Sequence, residues 1–140
     1  MSPMKIVVRV DSSFLVGTGH VMRCLALSEA MREFGHDVIF VCRDFEGHLC
    51  DLIQQRGFRV HKIANSGVQE WTPEYSGWLP GGWQEDADHT KSFIQGRVDL
   101  LIVDNYAIGS KWHTDLRTHA SQIMVIDDLA NRQYDCDILL

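Results

Sequence analysis

Two hydrophobic rhythms alternate along the chain. Short, nearly unbroken apolar runs rich in β-branched residues occupy residues 5–10 (KIVVRV), 36–43 (HDVIFVCR), 58–63 (FRVHKI), 98–106 (VDLLIVDNY) and 122–128 (QIMVIDD), and a last one, DILL, lies at 137–140. Such runs predict strands, and the least interrupted of them, 98–106, predicts a central strand covered on both faces. Between the runs the apolar positions recur every three or four residues. Over 20–34 they are Val21, Leu25, Ala26, Leu27, Ala30, Met31 and Phe34, and Gly35 follows as a left-handed stop. Residues 47–57, 84–96 and 110–120 read as further helices, with Gly57 ending one and Ser110 offering an N-cap for another. Strand and helix therefore alternate throughout. The pattern predicts an α/β fold, a Rossmann-like parallel sheet with helices on both faces, built from right-handed βαβ units.

One stretch breaks the rhythm. Residues 64–84 hold Trp71, Trp78 and Trp83, Pro73 and Pro80, and Gly67, Gly77, Gly81 and Gly82. A loop of about that length is uncommon in a compact domain and is often functional. Its aromatic rings either pack over a ligand or pin the loop to the core.

Composition narrows the classes. A chain of 140 residues is expected to form one domain, 1–140, with 45% hydrophobic and 23% charged residues in the ordinary globular range. The net charge of -6, without a Lys/Arg cluster, argues against nucleic acid as a partner. No apolar run approaches the ~18–20 residues of a membrane span, and the N-terminus lacks a secretory apolar core and cleavage site, so no membrane partner is expected and a cytoplasmic location is. Cys24, Cys42, Cys50 and Cys136 form no Cys-x-x-Cys pair, and the seven histidines no His-x-x-x-His pair. Free, mostly buried thiols and no metal site are the expectation. There are no repeats, low-complexity tracts or linkers, and the sequence stops inside a hydrophobic strand, which suggests the N-terminal portion of a longer protein.

In an open parallel sheet, ligands bind beyond the carboxyl ends of the strands, where the strand order switches. Three polar segments follow apolar strands directly: Asp11-Ser12-Ser13 with the turn Gly17-Thr18-Gly19-His20, then Asp104-Asn105-Tyr106, then Asp127-Asp128. All three are expected to face one crevice. Gly17 and Gly19 do not complete a dinucleotide fingerprint, because position 22 is Met22, and a Gly-Lys-Ser/Thr P-loop is absent. What remains is a turn whose glycines let a ligand approach the backbone closely. His20, in the first turn of the following helix, is by position either a general base or a residue that caps the helix or bonds a strand-end carboxylate.

The stretch from Arg9 to Arg43, RVDSSFLVGTGHVMRCLALSEAMREFGHDVIFVCR, resembles the opening of the PseG/SpsG family, the nucleotide-sugar hydrolases of pseudaminic acid biosynthesis. The family pattern Arg-x-Asp-x-Ser, then Gly-x-Gly-His-x-x-Arg-x-Leu, is met by Arg9, Asp11, Ser13, Gly17, Gly19, His20, Arg23 and Leu25. GWLPGGWQEDADHT, IVDNYAI and IDDLANRQYDCDILL are similar to later family segments in the same order. The resemblance implies the N-terminal, Rossmann-like half of a two-domain GT-B fold, with a C-terminal UDP-binding domain absent from these 140 residues. It implies hydrolysis of UDP-2,4-diacetamido-2,4,6-trideoxy-β-L-altropyranose to UDP and the free sugar, with inversion and without metal or redox cofactor. On this resemblance His20 is the catalytic base, and Asp11, Ser13, Gly17, Gly19 and Tyr106 are substrate-binding. Asp11 and Ser13 would orient His20 or bind sugar groups, or Asp11 would tie down its turn. Arg9 and Arg23 read as structural partners of these carboxylates, and Asp127 and Asp128 as lining the edge or capping its loop. Without its C-terminal half the chain is expected to hold UDP poorly and turn over poorly. Two other readings stay open: the acceptor-side half of a GT-B glycosyltransferase, and a non-catalytic sugar-nucleotide- or partner-binding domain.

Overall fold

A strand with helices on both faces has no side to give to water, so the unbroken apolar runs become the middle of a sheet. In the computed structural model, which describes residues 2–64, 69 and 75–140, the elements follow in the order β1 (Lys5–Val10), α1 (Gly19–Glu33), β2 (Asp37–Arg43), α2 (Cys50–Gln55), β3 (Arg59–Ile63), α3 (Gly82–Ser92), β4 (Val98–Asp104), α4 (Ser110–Leu116), β5 (Ala120–Val125) and β6 (Ile138–Leu139). Short 3-10 turns lie at Ser76–Trp78 and Arg117–His119. The strands form one parallel sheet in the order β3-β2-β1-β4-β5-β6. That is the Rossmann order, whose direction reverses between β1 and β4.

Alternation along β1 divides the core. Ile6, Val8 and Val10 pack with Val21, Cys24 and Leu25 of α1 and with Cys50 and Ile53 of α2. Val7 joins Ala87 of α3 and Trp112 and Leu116 of α4 on the other face. Register places Val10 opposite Asp104, so β1 and β4 end level and their polar successors share one edge.

Several boundaries differ from the pattern, each for a local reason. The strand ends at Asp104 because the Asn105 side chain accepts the Ala107 N–H at 2.9 Å and starts a turn. Ser110 is the first helical residue, with Gly109 in the N-cap position and no side-chain cap. Gly82 and Trp83, read as loop, open α3. Phe34 closes the apolar stripe of α1 in sequence yet is 83% exposed, since the helix has already ended. Gly35 takes φ +89°, as its role as a stop requires. All four cysteines are free; three are buried and Cys136 is half-buried. Trp71, Pro73 and Gly67 lie outside the described residues. Among the described residues no helix is long and apolar enough to cross a membrane.

Candidate active site

His20 stands at the strand-order switch, carried there by the turn after β1. Gly17 makes the turn: its N–H donates to the Ser13 carbonyl at 2.8 Å and its φ is +80°. Gly19, the first residue of α1, has ordinary φ, and a Cβ placed on it would meet nothing within 4 Å. His20 follows in the first turn of α1, facing the end of β4. Its Nδ1 lies 2.6 Å from Asp104 Oδ1, with the His20 side chain 11% exposed and that of Asp104 fully buried.

Arg23, one turn along α1, clamps the same carboxylate. Its Nε donates to Asp104 Oδ2 at 2.5 Å and its Nη2 to Oδ1 at 2.6 Å. Burial alone would raise the Asp104 carboxyl, but the hydrogen bonds and charges of Arg23 and His20 hold it below the usual carboxylate range. An ionised carboxylate only accepts, so Nδ1 carries the proton. In the neutral ring Nε2 is then the acceptor. Arg23 Nη1 extends the cluster to exposed Asp128 at 2.9 Å, and the Tyr106 hydroxyl donates to the same carboxylate at 3.1 Å. Arg23 pulls Asp128 below its ordinary value, and burial with the Asp128 bond pushes the Tyr106 phenol up.

Aromatic rings close one side. Tyr106 meets the His20 ring edge-on at 4.7 Å and Trp78 does so at 5.9 Å, while Trp78 and Tyr106 stack at 5.7 Å and Tyr75 packs against both. Trp78 therefore belongs to the wall of the site.

Of the residues that sequence pointed to, His20, Gly17, Gly19 and Tyr106 come together at the open edge. Asp11 and Ser13 turn inward. Asp11 accepts from Arg9 Nη1 and Nη2 at 2.7 and 3.0 Å, from Asn105 Nδ2 at 3.1 Å and from the Arg43 N–H at 2.7 Å, and it is 2% exposed. Ser13 Oγ accepts the Val16 N–H at 3.0 Å and pairs with Gln69, whose Nε2 reaches the Trp78 carbonyl. The carboxylate that orients His20 is thus Asp104, and Asp11 ties down the turn. Arg9 is a structural partner of Asp11, as expected, whereas Arg23 pairs with Asp104 and Asp128. Asp127 caps its own loop, accepting from the Leu129 and Ala130 N–H groups.

Sequence reasoning passed over Asp86. From α3 it accepts Arg9 Nε at 3.0 Å and Nη2 at 2.5 Å, Arg43 Nε at 3.0 Å and Trp112 Nε1 at 3.0 Å. The available signal was Arg9 and Arg43 inside apolar strands, since charges so placed need a buried counter-charge.

Fold and geometry define a class: a Rossmann-type domain whose switch-point edge carries a carboxylate-held histidine. The chain is 26% identical over 137 residues to the UDP-2,4-diacetamido-2,4,6-trideoxy-β-L-altropyranose hydrolase of Campylobacter jejuni, covering 98% of this chain and 41% of that protein. It is 28% identical over 137 residues to an uncharacterized protein of Methanocaldococcus jannaschii, covering 94% and 27%. Over 47 residues it is 38% identical to an uncharacterized glycosyltransferase of Methanosarcina mazei. The chain thus spans less than half the length of these relatives. Among solved structures, MurG of Acinetobacter baumannii is similar with a TM-score of 0.49 and 11% identity, covering 99% of this chain and 45% of that one. No family model matches the chain.

Proposed function

We propose that this chain is the N-terminal, base-carrying half of a GT-B nucleotide-sugar hydrolase acting on UDP-2,4-diacetamido-2,4,6-trideoxy-β-L-altropyranose. The observation that carries the reading is the 2.6 Å contact between His20 Nδ1 and Asp104 at the switch point. The relative of that activity, aligned over 98% of the chain, supplies the substrate.

The chemistry follows from the geometry. Asp104 accepts Nδ1–H and presents Nε2 as the base. Nε2 takes a proton from water, the water oxygen bonds to the anomeric carbon, and the bond from that carbon to the UDP oxygen breaks with its electron pair leaving on UDP. Attack from the face opposite UDP inverts the centre. Inverting hydrolysis of an ordinary glycoside needs a carboxylic acid to protonate the leaving group. A nucleoside diphosphate leaves as a stable anion, so one base suffices. The imidazolium formed sits against ionised Asp104 until the proton passes to solvent. Gly17, Gly19 and Tyr106 line the approach of the sugar, while Asp11 and Ser13 hold the turn from beneath. In this reading the nucleotide is held mainly by the second domain of the GT-B fold.

UDP release from that substrate, measured on the protein carrying this chain with its second domain, tests the reading. His20→Gln is expected to lower turnover by about 10²- to 10⁴-fold with substrate binding kept. Equal rates would leave His20 a helix-end residue and remove the hydrolase reading. The 47-residue match to a glycosyltransferase supports a second reading, in which Nε2 deprotonates an acceptor hydroxyl. Transfer of sugar to an added acceptor, in place of release to water, would favour it.

A further inference from the structure

Arg43 is a charged group that its own neighbours leave half-used. Its side chain is fully buried, and Nε donates to Asp86 at 3.0 Å, yet neither Nη1 nor Nη2 has a hydrogen-bond partner among the described residues. Arg9, one strand over, shows the contrast: its Nε, Nη1 and Nη2 all bond to Asp11 or Asp86. Idle donors on a buried guanidinium are costly, and buried polar groups without partners are few in folded proteins.

Position gives these donors a use. Arg43 ends β2, beside the strand from which the His20 turn departs, and it pairs in register with Ile63. Trp78 packs edge-on against His20, and Asp86, one turn into the helix that opens at Gly82, holds Arg43, so the segment 75–82 lies at this end of the sheet. The segment begins at Tyr75 with φ +60° and ends at Gly81 and Gly82 with φ +91° and +87°. Within it, the buried Trp78 Nε1 also lacks a partner among the described residues. The idle atoms on Arg43 and Trp78 are all donors, so the complementary ligand presents acceptor oxygens.

Charge selects among acceptors. Arg9 and Arg43 are balanced by Asp11 and Asp86 in the buried network. A phosphate or carboxylate would leave that network with buried excess charge, whereas a neutral amide carbonyl satisfies both Nη groups through its two lone pairs. We infer that Arg43 binds the carbonyl oxygen of an N-acylated sugar, its guanidinium fork receiving an acetamido group once the 75–82 segment lifts. The inference rests on the sugar-nucleotide reading above and assigns Arg43 the recognition of the acylamino substituent.

The test is an NMR titration of this chain with N-acetylglucosamine, and with glucose as the sugar lacking the acetamido group. The expected result is binding of N-acetylglucosamine tighter by about tenfold or more, the scale of a hydrogen bond to a charged group. Arg43→Lys keeps the charge beside Asp86 but loses the fork, and it is expected to bring the two sugars together without weakening glucose. Equal binding by the wild type, no binding of N-acetylglucosamine, or a preference that survives Arg43→Lys would each overturn the assignment. Should Arg43→Lys fail to fold, the wild-type Arg43 Nε–H resonance decides: it shifts with N-acetylglucosamine and not with glucose, and no shift overturns the assignment. This readout is independent of UDP release, so failure of the His20 mechanism and failure of the Arg43 assignment are separable.

Discussion

Two Arg–Asp clusters lie at the same edge of the sheet and differ in their surroundings. In one, Arg9, Asp11, Arg43 and Asp86 are at most 2% exposed and bonded across three elements. In the other, Asp104 is buried but Arg23 is 33% exposed, Asp128 65% and His20 11%. Burial alone would raise Asp86, yet the charges and hydrogen bonds of Arg9 and Arg43 hold it below its ordinary value. Every charge in that cluster depends on its neighbours remaining charged. Around His20, water screens the outer members and leaves only the Asp104 contact fixed. The same residue types therefore build a buried floor in one place and, in the proposed mechanism, a proton-handling group in the other.

The buried cluster carries the largest expected loss of stability. Asp86→Ala strands the buried Arg43 guanidinium and leaves Arg9 to Asp11 alone, and is expected to cost about 3–5 kcal/mol in urea unfolding. Asp128→Asn, which removes the exposed partner of Arg23, should leave the midpoint in place. Similar losses from both would erase the distinction between the clusters.

Acid acts next. His113 is fully buried, its Nδ1 accepts the Asp135 N–H at 3.2 Å, and burial with nearby Arg132 lowers it from 6.5 to about 4. The unfolded chain takes up that proton first, so this contribution is complete above pH 6.5 and is lost as the pH falls to about 4. The loss amounts to about 3 kcal/mol. Asp86 and Asp104, both lowered, extend the loss to still lower pH. Urea midpoints between pH 7.5 and 4.5 check this, and His113→Asn, which keeps an acceptor near Nδ1, should flatten the slope across that window.

The two turn glycines sharpen the picture further. Gly17→Ala forces a side chain into φ +80° and is expected to destabilise by about 1–2 kcal/mol. Gly19→Ala meets neither strain nor obstruction and should leave stability unchanged while weakening sugar binding. Unfolding curves and sugar titrations of the two variants separate a conformational role from a contact role. The smallest effect is expected from Tyr106→Phe, which keeps the ring against His20 and loses the hydroxyl's bonds to Asp128 and Arg23, so turnover should fall far less than on removal of His20.

Much of the fold was legible because its cause is local. β1 spans the residues its apolar run marked, and Gly35 ends the first helix where the pattern placed a stop. The site was legible in part. His20 and Tyr106 sit on edges that strand-end chemistry marks in advance, and the segment at Asp104 was visible for the same reason. The His20–Asp104 contact was not, because 84 residues separate its members and only the β1–β4 pairing unites them. Asp11 stayed between two roles because a carboxylate after a strand looks the same in sequence whether it points outward or, as here, inward to Arg9. Asp86 and Trp78 lie in polar or irregular stretches, where no periodicity ranks one residue above its neighbours.

The proposed mechanism turns on one proton: Asp104 keeps it on Nδ1 and leaves Nε2 as the base. Nitrogen-15 NMR of the His20 ring reads that position directly in this chain. The expected result is a neutral ring protonated at Nδ1 with an unprotonated Nε2, and loss of that preference in Asp104→Ala. A neutral ring protonated at Nε2, or a preference for Nδ1 unchanged by Asp104→Ala, would contradict it.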